Sequence, residues 1–419
     1  MRLSKSIRYL AVSSATALTA GLLTVPSASA ATEYFESFTD ADVTYSSDWA
    51  AGRFSLGTLL DYPCLTARPA ASGDLQLNPG PGTLFTCQTT PDASGSGALR
   101  LADDSTTAEP DSSDINFTQP FLTSGGFDIT FSMAMYDTSS SANQAADGIS
   151  FFLKDGSSTN YAPGYPGGWL GYIDVADALV GVGFDYFGNF STSNTALKLN
   201  GCSTDGPGQR ANAIVVRGPG ERTGSPNYNG YCYLAGTSAN AMNFSGTENT
   251  RAQATRRARV QVDAPTVASP KVRVYFDDLT NPILTVDQPQ ELQQSRSFKF
   301  GFAGSSGGSF AQFLEIWNLR FTGTPVPPPP PPVQMITLDI DANEGSCTVS
   351  KITEPVGTWV DLPGEDACSR EGYEFLGFDT SASSTTPQFA PGAPVQLTGD
   401  NRVYAIYEEI VPEPFLCTP

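Results

Sequence analysis

Ala146-Asp147-Gly148-Ile149-Ser150-Phe151-Phe152-Leu153 decides how this chain is read: an acid and a glycine run directly into a nearly unbroken apolar stretch. A run of that length reads as a central strand covered on both faces, with the carboxylate in the loop that feeds it. Further on, Gly167-Gly168-Trp169-Leu170-Gly171 supplies a glycine-rich turn. Val180-Gly181-Val182-Gly183-Phe184 then makes a second strand of the same kind, ending in Asp185-Tyr186-Phe187-Gly188-Asn189. One carboxylate, one glycine turn and one Asp/Asn loop thus fall at the ends of successive strands. An all-β sandwich assembles a shallow polar pocket for hydroxyl-bearing ligands in this way.

Outward from that stretch, period-two alternation recurs. Phe127, Ile129, Phe131, Met133 and Met135 alternate with smaller or polar residues, as do Val272, Val274 and Phe276, then Phe298, Phe300 and Phe302, then Trp317, Leu319 and Phe321. No segment sustains a helical period. Short strands parted by Gly/Ser/Asn turns predict an all-β fold of two packed antiparallel sheets.

Six consecutive prolines at 327–332 cannot join a sheet and favour polyproline II. At about 3.1 Å per residue they form a stiff spacer of about 20 Å. Arg2, Lys5 and Arg8 ahead of an apolar run, then Ala28-Ser29-Ala30, have the pattern of a secretory signal peptide. The expected organisation is a signal at 1–30, a sandwich at 31–324, a linker at 325–333, a small module at 334–410 and a tail at 411–419. No second segment is long and apolar enough to span a membrane, so no transmembrane helix is expected in the mature chain, and the expected location is secreted, extracellular or at the cell surface.

The chain carries 23 Lys+Arg against 43 Asp+Glu, and loss of the three basic signal residues takes its formal charge from −20 to −23. Such a surface repels nucleic acid and anionic lipid. Histidine is absent, which removes Ser-His-Asp hydrolysis, His-ligated zinc and His proton shuttling. Any bound metal must therefore use oxygen. Seven cysteines in an exported chain read as a disulfide framework, and short loops favour the neighbour pairs Cys64–Cys87, Cys202–Cys232 and Cys347–Cys368, leaving Cys417 over.

The Ala-Asp-Gly motif, the loop glycine before an aromatic and the Phe-Asp-x-x-x-Asn loop together resemble the legume-type (L-type) lectins, in a form similar to bacterial members of that group. The resemblance spans about residues 35–321 and is strongest over 127–189. It implies a concanavalin A-like antiparallel sandwich, or jelly roll, that binds a glycan or glycoconjugate without catalysis. By it, Asp147, Gly168 and Asn189 read the sugar, the Ala146-Asp147 peptide is cis, and Ser305 and Ser306, in a Gly-Phe-Ala-Gly-Ser-Ser-Gly-Gly loop, line the pocket. Trp169 reads equally as a stacking platform or as core.

For metal, Asp185, Phe187 and Asn189 offer oxygens at i, i+2 and i+4 of one loop, and counting by the resemblance adds Asn194. Gly183 stands where the family's transition-metal glutamate would be, so no manganese site is expected. Calcium would bind modestly or not at all unless Asp205 or another acid folds in. The segment 199–236, with Cys202, Asp205-Gly206-Pro207-Gly208, Val216-Arg217-Gly218-Pro219-Gly220 and Cys232, departs from the family and reads as a long loop region.

After the spacer, Arg370-Glu371-Gly372-Tyr373-Glu374-Phe375-Leu376-Gly377-Phe378 and Val403-Tyr404-Ala405-Ile406-Tyr407 resemble one Listeria–Bacteroides repeat (InlB B-repeat). That implies a small β-grasp-like module found in surface and secreted proteins as a spacer or adhesion unit. Two rival functions stand beside glycan recognition in adhesion. One is a glycoside hydrolase on the same sandwich, but the paired-carboxylate Glu-x-Asp-x-x-Glu pattern is absent and Glu315 has no acidic neighbour at strand spacing. The other is a protein-binding or structural surface module with a dead sugar site.

Overall fold

The computed structural model describes residues 30–55, 62–78, 80–87, 90–105, 110–138, 145–223, 227–307, 310–328 and 332–411. Nearly all of the segment expected to be a signal peptide, Gly308, the middle of the proline run and Cys417 lie outside these. Two compact units result, one ending at Pro327 and the other starting at Pro328.

The first unit is built on two sheets. One sheet runs in the order Leu284–Asp287, Lys271–Phe276, Thr255–Val262, Phe127–Tyr136, Phe313–Gly323, Leu99–Ala102, with short strands and Thr32–Glu36 at its far side. The other centres on Ala178–Asp185, Gly148–Asp155, Ser297–Ser305, Asp111–Leu122 and Trp49–Ser55, with Ala213–Arg217 also pairing Ala178–Asp185. All these central pairings are antiparallel. The expected all-β antiparallel sandwich is what forms.

The alternating side chains explain why. Phe127, Ile129, Phe131, Met133 and Met135 point inward and are buried, as are Phe298, Phe300 and Phe302 from the facing sheet. Phe300 meets Phe117 at 5.4 Å and Phe321 at 4.9 Å between ring centroids. Each such side chain contributes about 1.5–3 kcal/mol by leaving water. One phase assignment needs correcting. Trp317 packs against the same core but is only partly buried, out of step with Leu319 and Phe321, where Asn318 takes a positive φ of 52° and the register slips between Trp317 and Arg320. The buried set upstream of this bulge is instead Leu314 and Ile316.

The second sheet is covered on its outer face too. Phe152, Leu170, Tyr172, Phe190, Val215 and Tyr231 form a separate apolar cluster beneath the loops that follow Asp155 and Asp185. The segment 199–236, read above as loop, contributes to this layer: Ala213–Arg217 is a wholly buried strand. Its Ala-Ile-Val-Val run is the signal that the surrounding glycines obscured.

The second unit has a four-stranded sheet ordered Lys351–Pro355, Met335–Asp341, Asn401–Glu409, Tyr373–Asp379. Met335–Asp341 and Asn401–Glu409, its first and last strands along the chain, are parallel neighbours, a β-grasp-like pairing, with no helix across it among the described residues. Ile336, Leu338, Ile340, Phe378, Val403 and Ala405 make its core. The three expected disulfides are present, with Cα separations of 5.2 Å for Cys64–Cys87, 5.3 Å for Cys202–Cys232 and 4.1 Å for Cys347–Cys368. Among the described residues no helix is long and apolar enough to cross a membrane.

Candidate functional site

The Gly148–Asp155 and Ala178–Asp185 strands pair so that Gly148 faces Asp185. That register sets Asp147 and the Asp185 loop side by side. The Asp147 carbonyl accepts the amides of Tyr186 at 2.9 Å and Phe187 at 3.2 Å, and the Asp147 amide donates to the Ser305 carbonyl at 2.9 Å. The Ala146-Asp147 peptide is cis. Three strand ends are thereby tied to one residue whose side chain is left over.

That side chain is only 2% exposed, and its Oδ2 has no hydrogen-bond partner. Burial alone pushes its carboxyl up to about 7. Two glycines stand beside it: a methyl placed on Gly307 would lie 3.0 Å from Oδ2, and one on Gly167 would lie 3.9 Å away. Next to Gly167, Gly168 packs on Asn189 so closely that a Cβ there would meet the Asn189 Cβ at 2.4 Å. Asp147, the glycine turn and Asn189 therefore converge. Asp147 is buried rather than lying open in a shallow pocket.

Ser305 and Ser306 are placed otherwise than as free pocket liners. Ser305 is fully buried and its Oγ donates to the Gly167 carbonyl at 3.1 Å, bracing the turn from behind. Ser306 is tied to Asp111 instead: its amide donates to the Asp111 carbonyl at 3.0 Å, and its Oγ accepts the Asp111 amide at 3.4 Å. Trp169 is half-buried, donates its indole N–H to the Leu197 carbonyl at 3.1 Å and packs on Tyr165, so it serves the outer core.

Of the proposed metal ligands, Asp185 and Phe187 are already engaged. Asp185 is fully buried, with Oδ1 accepting from the Gly188 amide and Oδ2 from the Phe190 amide, each at 2.7 Å. Burial raises its carboxyl well above the usual range, with the nearby Asp147 adding to the rise and the two amides opposing it. The Phe187 carbonyl accepts from the Gln209 side-chain amide at 3.2 Å, and the Asn189 backbone carbonyl, not its side chain, accepts from Thr192. Asn194 donates its side-chain NH2 to the Thr204 carbonyl while its Oδ1 is buried without a partner among the described residues, and Asp205 does fold in, onto the Asn194 backbone amide. The space opposite Gly183 is filled: a Cβ there would meet the Phe190 ring at 2.4 Å. Among the described residues no three His, Cys, Asp or Glu side chains gather to hold a metal. Calcium takes six to eight oxygens, and the one carboxylate of the loop, Asp185, is already held by two amides, which makes this donor set a poor match for it.

Residues that the sequence reading passed over complete the site. Gly307 and Phe310 close its rim, with the Phe310 ring 5.7 Å from that of Phe187. Arg217, fully buried, reaches under the Asn189 turn. Its signal was a cation ending an apolar strand. Glu315, the acid weighed for hydrolysis, is buried in ion pairs with Arg100 at 2.8 Å and Arg251 at 2.5 Å, which leaves it no free role.

No protein-family model matches the chain, and no curated protein does. Solved structures similar to it are legume-type lectins. The metal-free lectin I-B4 of Griffonia simplicifolia is 15% identical, over 69% of this chain and 98% of that one, with a TM-score of 0.41. Peanut lectin with a nine-residue peptide is 18% identical, over 71% and 100%, with a TM-score of 0.40. The exoplasmic/lumenal domain of VIP36, in its calcium- and mannose-bound form, is 12% identical, over 65% and 82%, with a TM-score of 0.35.

Proposed function

We propose that this chain is an exported, non-catalytic carbohydrate-binding protein of lectin type, and that Asp147, Gly168 and Asn189 read the hydroxyls of one sugar. The observation that carries the reading is the Asp147 carboxylate: buried, without a partner at Oδ2, and with two glycines beside it. An acceptor held dry in this way is costly unless a ligand supplies the missing donor. A vicinal pair of hydroxyls does so, donating to the carboxylate while Asn189 both donates and accepts. The linker and the repeat-like module at 334–410 suit presentation of the sandwich in adhesion.

A glycan array on the full chain tests this. Asp147→Asn keeps the shape but loses the charged acceptor, and is expected to weaken glycan binding about 10- to 100-fold. Glycan binding that survives the substitution unchanged overturns the site. Binding to protein ligands with no glycan response transfers the function to protein adhesion.

A further inference from the structure

Arg217 ends the Ala213–Arg217 strand opposite Gly181, with no exposed surface. Its guanidinium donates through Nε to the Phe190 carbonyl at 2.9 Å, through Nη1 to the Tyr231 carbonyl at 2.9 Å and through Nη2 to the Thr192 carbonyl at 3.2 Å. Phe190 and Thr192 belong to the Asn189–Ser191 turn and its C-terminal edge, so the cation grips the segment that carries Asn189 at two points. The same guanidinium lies 5.1 Å from the centre of the Phe190 ring, the ring that plugs the space opposite Gly183. Asp185 is the largest favourable charge acting on it. A buried cation, three backbone carbonyls and a buried carboxylate thus occupy the loop core.

We propose that Arg217 is the positioning residue of the ligand loop: its guanidinium does the organising that a divalent cation would do, and the pocket is assembled without metal. The argument is one of donors and charge. A divalent ion would need the Asp185 oxygens, the one carboxylate at the loop, and both already accept loop amides, while the guanidinium holds the Phe190 and Thr192 carbonyls of the same segment. A fixed guanidinium also matches carbonyl acceptors through several donors at once, which a lysine does not. The glycan readout rests on the function proposed above, whereas the metal and stability readouts do not.

The test uses the full chain, freed of metal and then given millimolar calcium. Thermal unfolding is expected to be unchanged between chelator and calcium, and any glycan binding equally so. A tightly bound ion at saturating concentration would raise Tm by about 5 °C, and a rise of that size overturns the proposal. Arg217→Ala supplies the second arm. It is expected to weaken glycan binding at least about tenfold, with recovery on adding guanidinium ion at tens of millimolar, far below denaturing concentrations, but not on adding urea. Lost packing alone would not respond to the ion, so an absence of rescue in a folded variant assigns Arg217 a structural role only and overturns the proposal. If Arg217→Ala does not fold, the calcium titration of the unaltered chain still decides. If the unaltered chain binds no glycan, the functional reading fails, and Tm with and without calcium still settles the role of Arg217.

Discussion

At the scale of single residues, Asp147 concentrates the consequences. Its carboxyl is pushed up to about 7 by burial, above its value of about 3.8 in an unfolded chain. A raised acid binds its proton more tightly when folded, so this group favours folding below about pH 4 and loses that contribution as pH climbs towards 7. Asp147→Asn carries no such group. Its Tm is therefore expected to match that of the unaltered protein near pH 4 and to exceed it by several degrees near pH 8, for a difference on the order of 2–4 kcal/mol. Scanning calorimetry of both proteins across that range checks this, and parallel curves would mean that the carboxylate is better solvated than its surroundings suggest. If Asp147 serves the proposed sugar site, the substitution is expected to move stability and glycan binding in opposite directions, as happens where a site is kept strained for its ligand.

At the scale of elements, the fit between turns matters more than any one side chain. Gly168 lies against Asn189 with no room for a Cβ. Gly168→Ala is expected to drive the Gly167–Trp169 turn from the Asn189–Ser191 turn, costing about 1–3 kcal/mol of stability and most of the glycan affinity. Calorimetry and the glycan array together check it, and a stable variant with full affinity would show that the two turns move freely. This scale is also where the sequence was most and least legible. The inward phase of 127–135 and 298–302 follows from period-two patterning, and the placing of Asp147, Gly168 and Asn189 at neighbouring loop ends followed from motif order and the lectin resemblance. The partners of Asp185 did not. Whether a carboxylate meets a cation or its own loop amides depends on backbone direction after the strand, which residue type does not encode. Arg217 was lost for a related reason: glycine and proline after it made a strand end look like loop. Trp317 falls out of step because one residue in positive φ, Asn318, interrupts the alternation.

At the scale of the whole molecule, the two units have separate cores of different size, the smaller resting on a few aliphatics, Phe378 and the Cys347–Cys368 bond. Two unfolding transitions are expected in calorimetry of the full chain. Reduction should lower the transition of the smaller unit by more, since a short chain with a modest core leans on its cross-link for about 2–4 kcal/mol. A single transition insensitive to reductant would show that the division at the proline run is not one of folding. The acidic composition and the missing imidazole were readable at once and bear on partners rather than on shape.

The apolar layer on the outer face of the site-bearing sheet also bears on rates. Leu170, Tyr172 and Phe190 anchor the turns to a core of their own, so the proposed cradle is expected to hold one shape with or without ligand. A ligand arriving at such a socket has little to reorganise. Capture should follow a single exponential whose rate rises linearly with sugar concentration and shows no plateau, and differences among glycans should appear as differences in how long each one stays.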